Sequence, residues 1–250
     1  MQPIIECKNV TKSYPGYLWG SKKVTALIDV NWTVFPGQRW LVTGPNRAGK
    51  STLLRLLVSL IRPDAGQVHR SGQLTSCAKT LQGVGYLPED AHLPGHWRVE
   101  ALISWVASLH KLPAQRLRLS VAKILHHFQL KDYASAKISQ LSRGLRQRVG
   151  LACSLVHHPK LVVLDSPCDS LDELGLSQLF EWLRRTVDSQ TVIIAQANAL
   201  AMQHWASHVL ELRAGRIVYS GEAEDYFRYR NGRGTPLEDI CHAISREAGI

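Results

Sequence analysis

The hydrophobic and polar positions change period several times along the chain, and each change predicts an element. IIECKNV (4–10) and VNWTVF (30–35) carry the alternation and β-branched content of strands. Pro36-Gly37 then supplies a turn before a third strand, RWLVTG (39–44). That strand runs straight into GPNRAGKST (44–52) and then LLRLLVSLI (53–61), whose apolar density suits a buried helix. Over 99–128 the period lengthens, with Leu117, Val121, Ile124, Leu125 and Phe128 falling at helical spacing on one face. A helix is expected from about Arg143 to Leu155, followed by the strand LVVLD (161–165), a helix near 173–186 and the strand TVIIA (191–195). Two short strands, HVLEL (208–212) and RIVYS (216–220), are joined by a turn at Ala214-Gly215. Strands alternating with helices predict an α/β protein with a largely parallel sheet. The β-rich opening forms an antiparallel subdomain, a helical insert occupies about 92–140, and a short helical tail occupies 221–250. No linker or internal repeat is visible.

Composition narrows the class. With 250 residues, 45% of them apolar, the chain can bury a core without staples. No segment approaches the roughly 18 uninterrupted apolar residues of a membrane span, so any link to a membrane is expected to run through a partner. The opening MQPIIECKNV lacks the basic start and apolar run of a signal peptide, which makes the cytosol the expected compartment. Cys7, Cys77, Cys153, Cys168 and Cys241 are scattered without a CxxC pair, against a zinc site or a disulfide framework. The net charge of +10 points to an anionic neighbour, yet the arginines are spread along the chain as on an ordinary solvated basic surface.

The chemistry-bearing motif is GPNRAGKST. It satisfies G-x-x-x-x-G-K-[ST] with a strand before and a helix after, the context that phosphate binding requires. Gly44 and Gly49 let the backbone wrap an anion, and successive N–H groups with the helix N-terminus point at it. Lys50 adds a cation for the terminal phosphates, and Ser51 is placed to ligate Mg²⁺. The fold expected is therefore of the P-loop NTPase type.

This loop resembles that of ATP-binding-cassette (ABC) transporter ATPases, which usually reads GPNGAGKST; only Arg47 departs. Further motifs are similar to the family's, in its order, over roughly residues 4–220, the extent expected of the cassette. Tyr14, in KSYPG, stands where the family places an aromatic that stacks on adenine. VGYLPED (84–90) resembles the Q-loop, with Glu89 where many members carry glutamine and some exporters glutamate. LSRGLRQRV (141–149) resembles the signature, keeping Ser142 and Gly144 at the head of a helix. LVVLDSP (161–167) resembles Walker B, with Asp165 ending the strand, and SLD (170–172) the D-loop. The tail TPLEDICHAI (235–244) resembles the ending of many exporter cassettes.

The resemblance implies ATP and Mg²⁺ as cofactors. Nucleotide contacts are implied for Tyr14, Gly44, Pro45, Asn46, Arg47, Ala48, Gly49, Lys50, Ser51 and Thr52, and across a dimer for Ser142 and Gly144. Metal contacts are implied for Ser51, Asp165 and Glu89. The implied partners are a membrane permease and a second cassette, and the implied location is the cytoplasmic face of the plasma membrane.

Two departures bear on catalysis. The family's general base follows the Walker B aspartate as glutamate, and here it is Ser166; the switch histidine aligns with Ala197, while His204 and His208 lie further on. A positioned base is worth about 10²–10⁴ in rate, so hydrolysis at this chain's own loop is expected to be weak or absent. Whether the chain is itself an enzyme is left open, and no catalytic residue is assigned. ATP binding draws on groups that are retained. Arg47 weakens it if its position demands a positive φ, or strengthens it through a phosphate contact. Because the losses lie on the loop side and the signature side is serviceable, a heterodimer is favoured, in which this chain completes a competent site on its partner. The alternatives are a non-hydrolysing ATP-sensing clamp on a membrane complex and a soluble nucleic-acid-associated ATPase. One cassette without a heptad run argues against the latter, and no nucleic acid is expected. His126-His127, His157-His158, the tryptophans and Cys168 are read as structural, with Trp97 available to pack on a permease helix. The cargo is not legible.

Overall fold

The alternation of the first 35 residues folds into a hairpin in the computed structural model of the chain, which describes residues 1–16, 23–110, 113–185 and 190–230. Strand β1 (Ile5–Tyr14) pairs antiparallel with β2 (Val24–Val34), from Ile5↔Val34 to Tyr14↔Val24, with register irregularities after Cys7, Val10 and Lys12. Ile5, Cys7 and Val10 are buried. After the turn at Gly37 (φ 82°) come β3 (Arg39–Thr43) and helix α1 (Lys50–Leu57). The next strands, β4 (Ala65–Arg70) and β5 (Gln73–Leu74), complete a four-stranded sheet in the order β2-β1-β4-β5.

β4 and β5 are absent from the sequence expectation, because β4 buries only Val68 and Arg70. Its strand identity comes from antiparallel pairing to β1, Ile5↔Arg70 through Lys8↔Gln67. Arg70 is 1% exposed and donates from Nε to the Leu57 carbonyl (3.2 Å) and from Nη2 to Ser59 Oγ (2.6 Å). It thus satisfies a carbonyl at the C-terminal end of α1 that the helix leaves open. Burial lowers its pKa to about 10.

The chain separates into two compact units, residues 77–194 and the remainder. Unit 77–194 holds β6 (Val84–Leu87), α2 (Val99–Leu109), α3 (Ala114–His127), α4 (Arg143–Leu155), β7 (Leu161–Asp165), α5 (Glu173–Arg185) and all but the last residue of β8 (Thr191–Ala195). β6 runs parallel to β7, Val84↔Leu161 to Leu87↔Leu164, and β8 lies on the other side of β7. Every residue of β7 and β8 is buried, as expected of strands covered on both faces. On α3, Val121 and Leu125 are buried and Leu117 and Ile124 half-buried, with Phe128 buried just past its end. These are the positions that the helical spacing picks out.

Returning to the other unit, β9 (His208–Arg213) runs parallel to β3, Trp40↔His208 to Thr43↔Glu211, and turns at Ala214 (φ 46°) and Gly215 (φ 79°) into antiparallel β10 (Arg216–Glu222). Two successive positive-φ residues are what a tight hairpin needs. Helix α6 (Ala223–Arg230) follows, and Tyr226 on it donates to buried Glu211 Oε2 at 3.0 Å. The tail motif TPLEDICHAI lies outside the described residues. The architecture is the expected α/β one, with parallel pairs, an antiparallel subdomain and a helical region.

Candidate functional site

In the unit carrying residues 1–76, β3 leads into a loop that tolerates no side chain at either end. A Cβ on Gly44 (φ 134°) would sit 2.1 Å from the Leu212 carbonyl oxygen, and one on Gly49 (φ 106°) 2.3 Å from that of Ala26. Between them Ala48 N–H donates to Pro45 O (3.2 Å), and the Ala48 carbonyl accepts from Gly215 N–H (3.1 Å). Helix α1 begins at once, Leu53 N–H to Gly49 O (2.9 Å), with no side-chain cap. An uncapped helix N-terminus behind a close-wrapped loop is the geometry that accepts phosphate.

Lys50, 8% exposed, donates to the carbonyls of Gly44 (2.9 Å) and Pro45 (3.0 Å), holding its ammonium across the loop. Ala48 and Thr52 are buried, Ser51 is half-buried, and Pro45, Asn46 and Arg47 are exposed. Arg47 has φ 66°, so the left-handed conformation is met; it costs a non-glycine residue about 1–2 kcal/mol. Tyr14 is brought to the same place, its hydroxyl 3.5 Å from Thr52 Oγ1. Lys12 lies 5.8 Å from the Tyr14 ring centre and donates to Asp64 (2.8 Å), a contact that, with the Ser13 N–H, holds the Asp64 carboxyl below its ordinary pKa.

Past β8, Gln196 N–H donates to Val42 O (3.0 Å) and Thr43 Oγ1 to Ala197 O (3.3 Å), so Ala197 is tied beside the strand that carries the loop. His208 is committed elsewhere. It stacks on Trp40 at 4.8 Å, contacts Gln38 (3.0 Å) and Ser207 (2.9 Å), and approaches Glu222 (3.3 Å). Burial holds its pKa below the ordinary value in spite of that carboxylate.

In unit 77–194, Asp165 ends β7 at 1% exposure, and Ser166, 8% exposed, follows at φ 47°, opening a short 3₁₀ turn (Pro167–Asp169). Ser142 caps α4, its Oγ accepting Leu145 N–H at 3.2 Å. A Cβ on Gly144 would lie 3.2 Å from Asp172 Cγ. Arg143 Nη2 donates to Ser170 Oγ (2.9 Å) and reaches Asp90 Oδ1 (3.4 Å). Glu89 is exposed, and its carbonyl lies 3.4 Å from the Gln147 side-chain nitrogen. The arginines that tie the signature helix to the turn at 170–172, Arg143 and Arg148, lie within the motif at 141–149, but motif reading gives them no role.

Three of the four paired histidines set aside on sequence are engaged structurally. His127 Nε2 lies 3.1 Å from Gln178 O, His158 Nε2 3.2 Å from Ser120 Oγ, and His157 Nε2 3.1 Å from Val84 O. Cys168 is half-buried rather than in the core, and burial with neighbouring Asp169 pushes its thiol up to about 12, too high for a nucleophile at neutral pH. A cavity of about 650 Å³, lined by His127, His158, Gln178 and Trp182 among others, includes none of the motif residues.

An α/β sheet whose strand feeds a glycine-walled, lysine-spanned loop and a helix defines a P-loop nucleotide-binding protein. Comparison with known proteins makes the class specific. The family model described as ABC transporter matches residues 27–169. The putrescine transport ATP-binding protein PotG of Escherichia coli is 32% identical over 93% of this chain and 61% of its own length. The daunorubicin resistance ATP-binding protein DrrA3 of Streptomyces coeruleorubidus is 31% identical over 92% of this chain and 72% of its own length. Among solved structures, the ATP-binding cassette MJ0796 in a dimeric post-hydrolysis state with ADP and Pi superposes with a TM-score of 0.79 at 22% identity, covering 88% of this chain and 98% of that one. The chain belongs to the ABC transporter family, as an ATP-binding subunit. ATP with Mg²⁺ is the family's nucleotide and metal, and its subunits dimerise and pair with membrane permeases. Among the described residues no helix is long and apolar enough to cross a membrane.

Proposed function

We propose that this subunit holds ATP at its own loop with little or no hydrolysis and passes the resulting dimer closure to a membrane permease. The observation that carries the reading is the pair of residues at the hydrolytic positions. Ser166 follows Asp165 at the end of β7, and Ala197 stands beyond β8, so no titratable group occupies either position. A hydroxyl of ordinary pKa cannot deprotonate water, and a methyl group cannot touch a phosphate electrostatically.

The binding side is complete. Tyr14 supplies a stacking face, residues 44–52 wrap the phosphates, and Lys50 neutralises them. Mg²⁺ would lower the charge of the terminal phosphates when bound, and Ser51, Asp165 and Glu89 are the residues that would hold it. The buried Asp165 and the hydroxyl on the first turn of α1 are oxygen donors of the kind this hard cation prefers.

Ser142 and Gly144, at the capped head of α4, act in trans on the nucleotide of a second cassette, so a heterodimer with an intact partner is the favoured assembly. For the permease, the helical region offers an aromatic pair, Trp97 and Trp105, 5.4 Å apart, the latter 49% exposed. The location that follows is the cytoplasmic face of the plasma membrane, with Glu89 and the tail at 235–244 favouring an exporter.

The test is ATP affinity and steady-state turnover of the purified protein beside Ser166→Glu combined with Ala197→His. Micromolar or tighter binding with turnover near zero, rising about 10²–10⁴-fold in the double variant, is expected. Brisk turnover in the unmodified chain overturns the reading.

A further inference from the structure

Arg47 is the residue that sets this phosphate loop apart. It stands between Asn46 and Ala48 with φ 66°, in a conformation that glycine adopts freely and an L-side chain does not. Its side chain is exposed, and among the described residues no hydrogen bond, ion pair or aromatic ring engages it. An arginine in strained backbone with no such contact among the described residues is not one that polar contacts to them hold in place. Its position is nonetheless the rim of a loop built to receive an anion.

The other cation of the loop is differently disposed. Lys50 is buried and donates to the Gly44 and Pro45 carbonyls, so part of its donor capacity is committed to the loop itself. A guanidinium has five donors in a planar fork, matches phosphate oxygens two at a time and stays charged at any working pH. The loop interior presents main-chain N–H groups and Lys50. A long cationic side chain on the exposed rim is suited to the phosphate that stands furthest out, the one that distinguishes a triphosphate from a diphosphate.

We propose that Arg47 is an additional phosphate ligand of the bound nucleotide, gripping the terminal phosphate and making the loop selective for ATP over ADP. The proposal rests on the ATP-holding reading of this loop and deepens it: a site without a base, but with an extra cation on the terminal phosphate, is a site for retaining a triphosphate. The strain at Arg47 is then the cost of placing that cation.

The experiment measures Kd for MgATP and MgADP by calorimetry at two salt concentrations, using the full chain, Arg47→Gly and Arg47→Lys, with a thermal melt of each nucleotide-free protein. Arg47→Gly is expected to weaken ATP about ten- to a hundredfold, the range of a charge-assisted hydrogen bond. It is expected to change ADP less than about threefold, to flatten the salt dependence of ATP binding, and to melt no lower than the parent. Arg47→Lys keeps the charge but not the fork and falls between. ATP binding by Arg47→Gly that is unchanged or tighter overturns the proposal, as does equal weakening of ATP and ADP, and in either case the ATP-holding reading survives. A parent protein that binds neither nucleotide overturns both.

Discussion

Arg148 on α4 donates from Nη2 to Asp172 Oδ2 at 2.5 Å, and the other oxygen of that carboxylate accepts the Gly175 N–H at 2.9 Å. One aspartate thereby ties the head of α5 to the helix that Ser142 caps, within van der Waals reach of Gly144. Partial burial raises the Asp172 pKa, but the Gly175 N–H and the Arg148 guanidinium outweigh it and hold the carboxyl below its ordinary value. Asp172→Ala leaves the buried Arg148 without this partner. The loss is expected to be about 1–2 kcal/mol, at the low end for a broken ion pair because Asp172 is 44% exposed and water screens it. A carboxylate with a depressed folded-state pKa stabilises above the ordinary carboxylate range and loses that contribution as pH falls through the folded value. The gap between parent and variant in urea melts should therefore be present at pH 7 and shrink as pH falls below the ordinary carboxylate range.

The loop glycines predict a graded series. Gly44→Ala and Gly49→Ala each drive a Cβ into a backbone carbonyl while keeping a positive φ, and should cost about 2–4 kcal/mol and abolish ATP binding. Gly83→Ala is the control: its φ is also positive, at 79°, but the nearest atom lies 3.8 Å from the added Cβ. It should cost about 1 kcal/mol, from the left-handed conformation alone. Melting temperatures and nucleotide titrations of the three variants check the order.

Tyr14 separates stacking from hydrogen bonding. Its hydroxyl is 3.5 Å from Thr52 Oγ1, at the long limit of a hydrogen bond, so Tyr14→Phe should bind ATP within about threefold of the parent. Tyr14→Ala removes the ring face and should weaken ATP by about 1–3 kcal/mol, fivefold or more. Equal losses in the two variants would show that the hydroxyl, and not the ring, carries the contribution.

What the sequence made legible were features with a short-range signature: the periods of β1, β2, α3 and the buried strands β7 and β8, the turn at Ala214-Gly215, and the loop at 44–52. β4 escaped because its strand character lies in pairing to β1 rather than in its own side chains, and two buried residues in six make no pattern. Arg70 escaped for a related reason. Charge in a sequence signals a surface, and only the tertiary placement of Leu57 and Ser59 makes its burial tolerable. At the site, the loop at 44–52 is legible because its glycines, lysine and hydroxyls form one contiguous motif. The side chains that bridge motifs distant in sequence, Arg143 to Ser170 and Arg148 to Asp172, became visible only with the fold.

His157 makes stability depend on acid. It is 8% exposed, lies 3.1 Å by Nε2 from the Val84 carbonyl and stacks on His110 with ring centres 3.5 Å apart. Burial first, and then the neighbouring His110, pushes its pKa down to about 4 from an ordinary 6.5. The direction follows from proton counting. Between pH 6.5 and 4 the unfolded chain binds a proton at this residue that the folded chain refuses, so unfolding is favoured as pH falls through that window. At one pKa unit per 1.36 kcal/mol, acidification from pH 7 to pH 5 should remove about 2 kcal/mol through His157 alone. His157→Gln retains a donor for the Val84 carbonyl and has nothing to titrate. Urea melts of the two proteins at pH 7 and pH 5 should show the parent losing about 2 kcal/mol more than the variant. Equal losses would mean that the imidazole protonates within the fold, with the His110 stack opening to admit the charge.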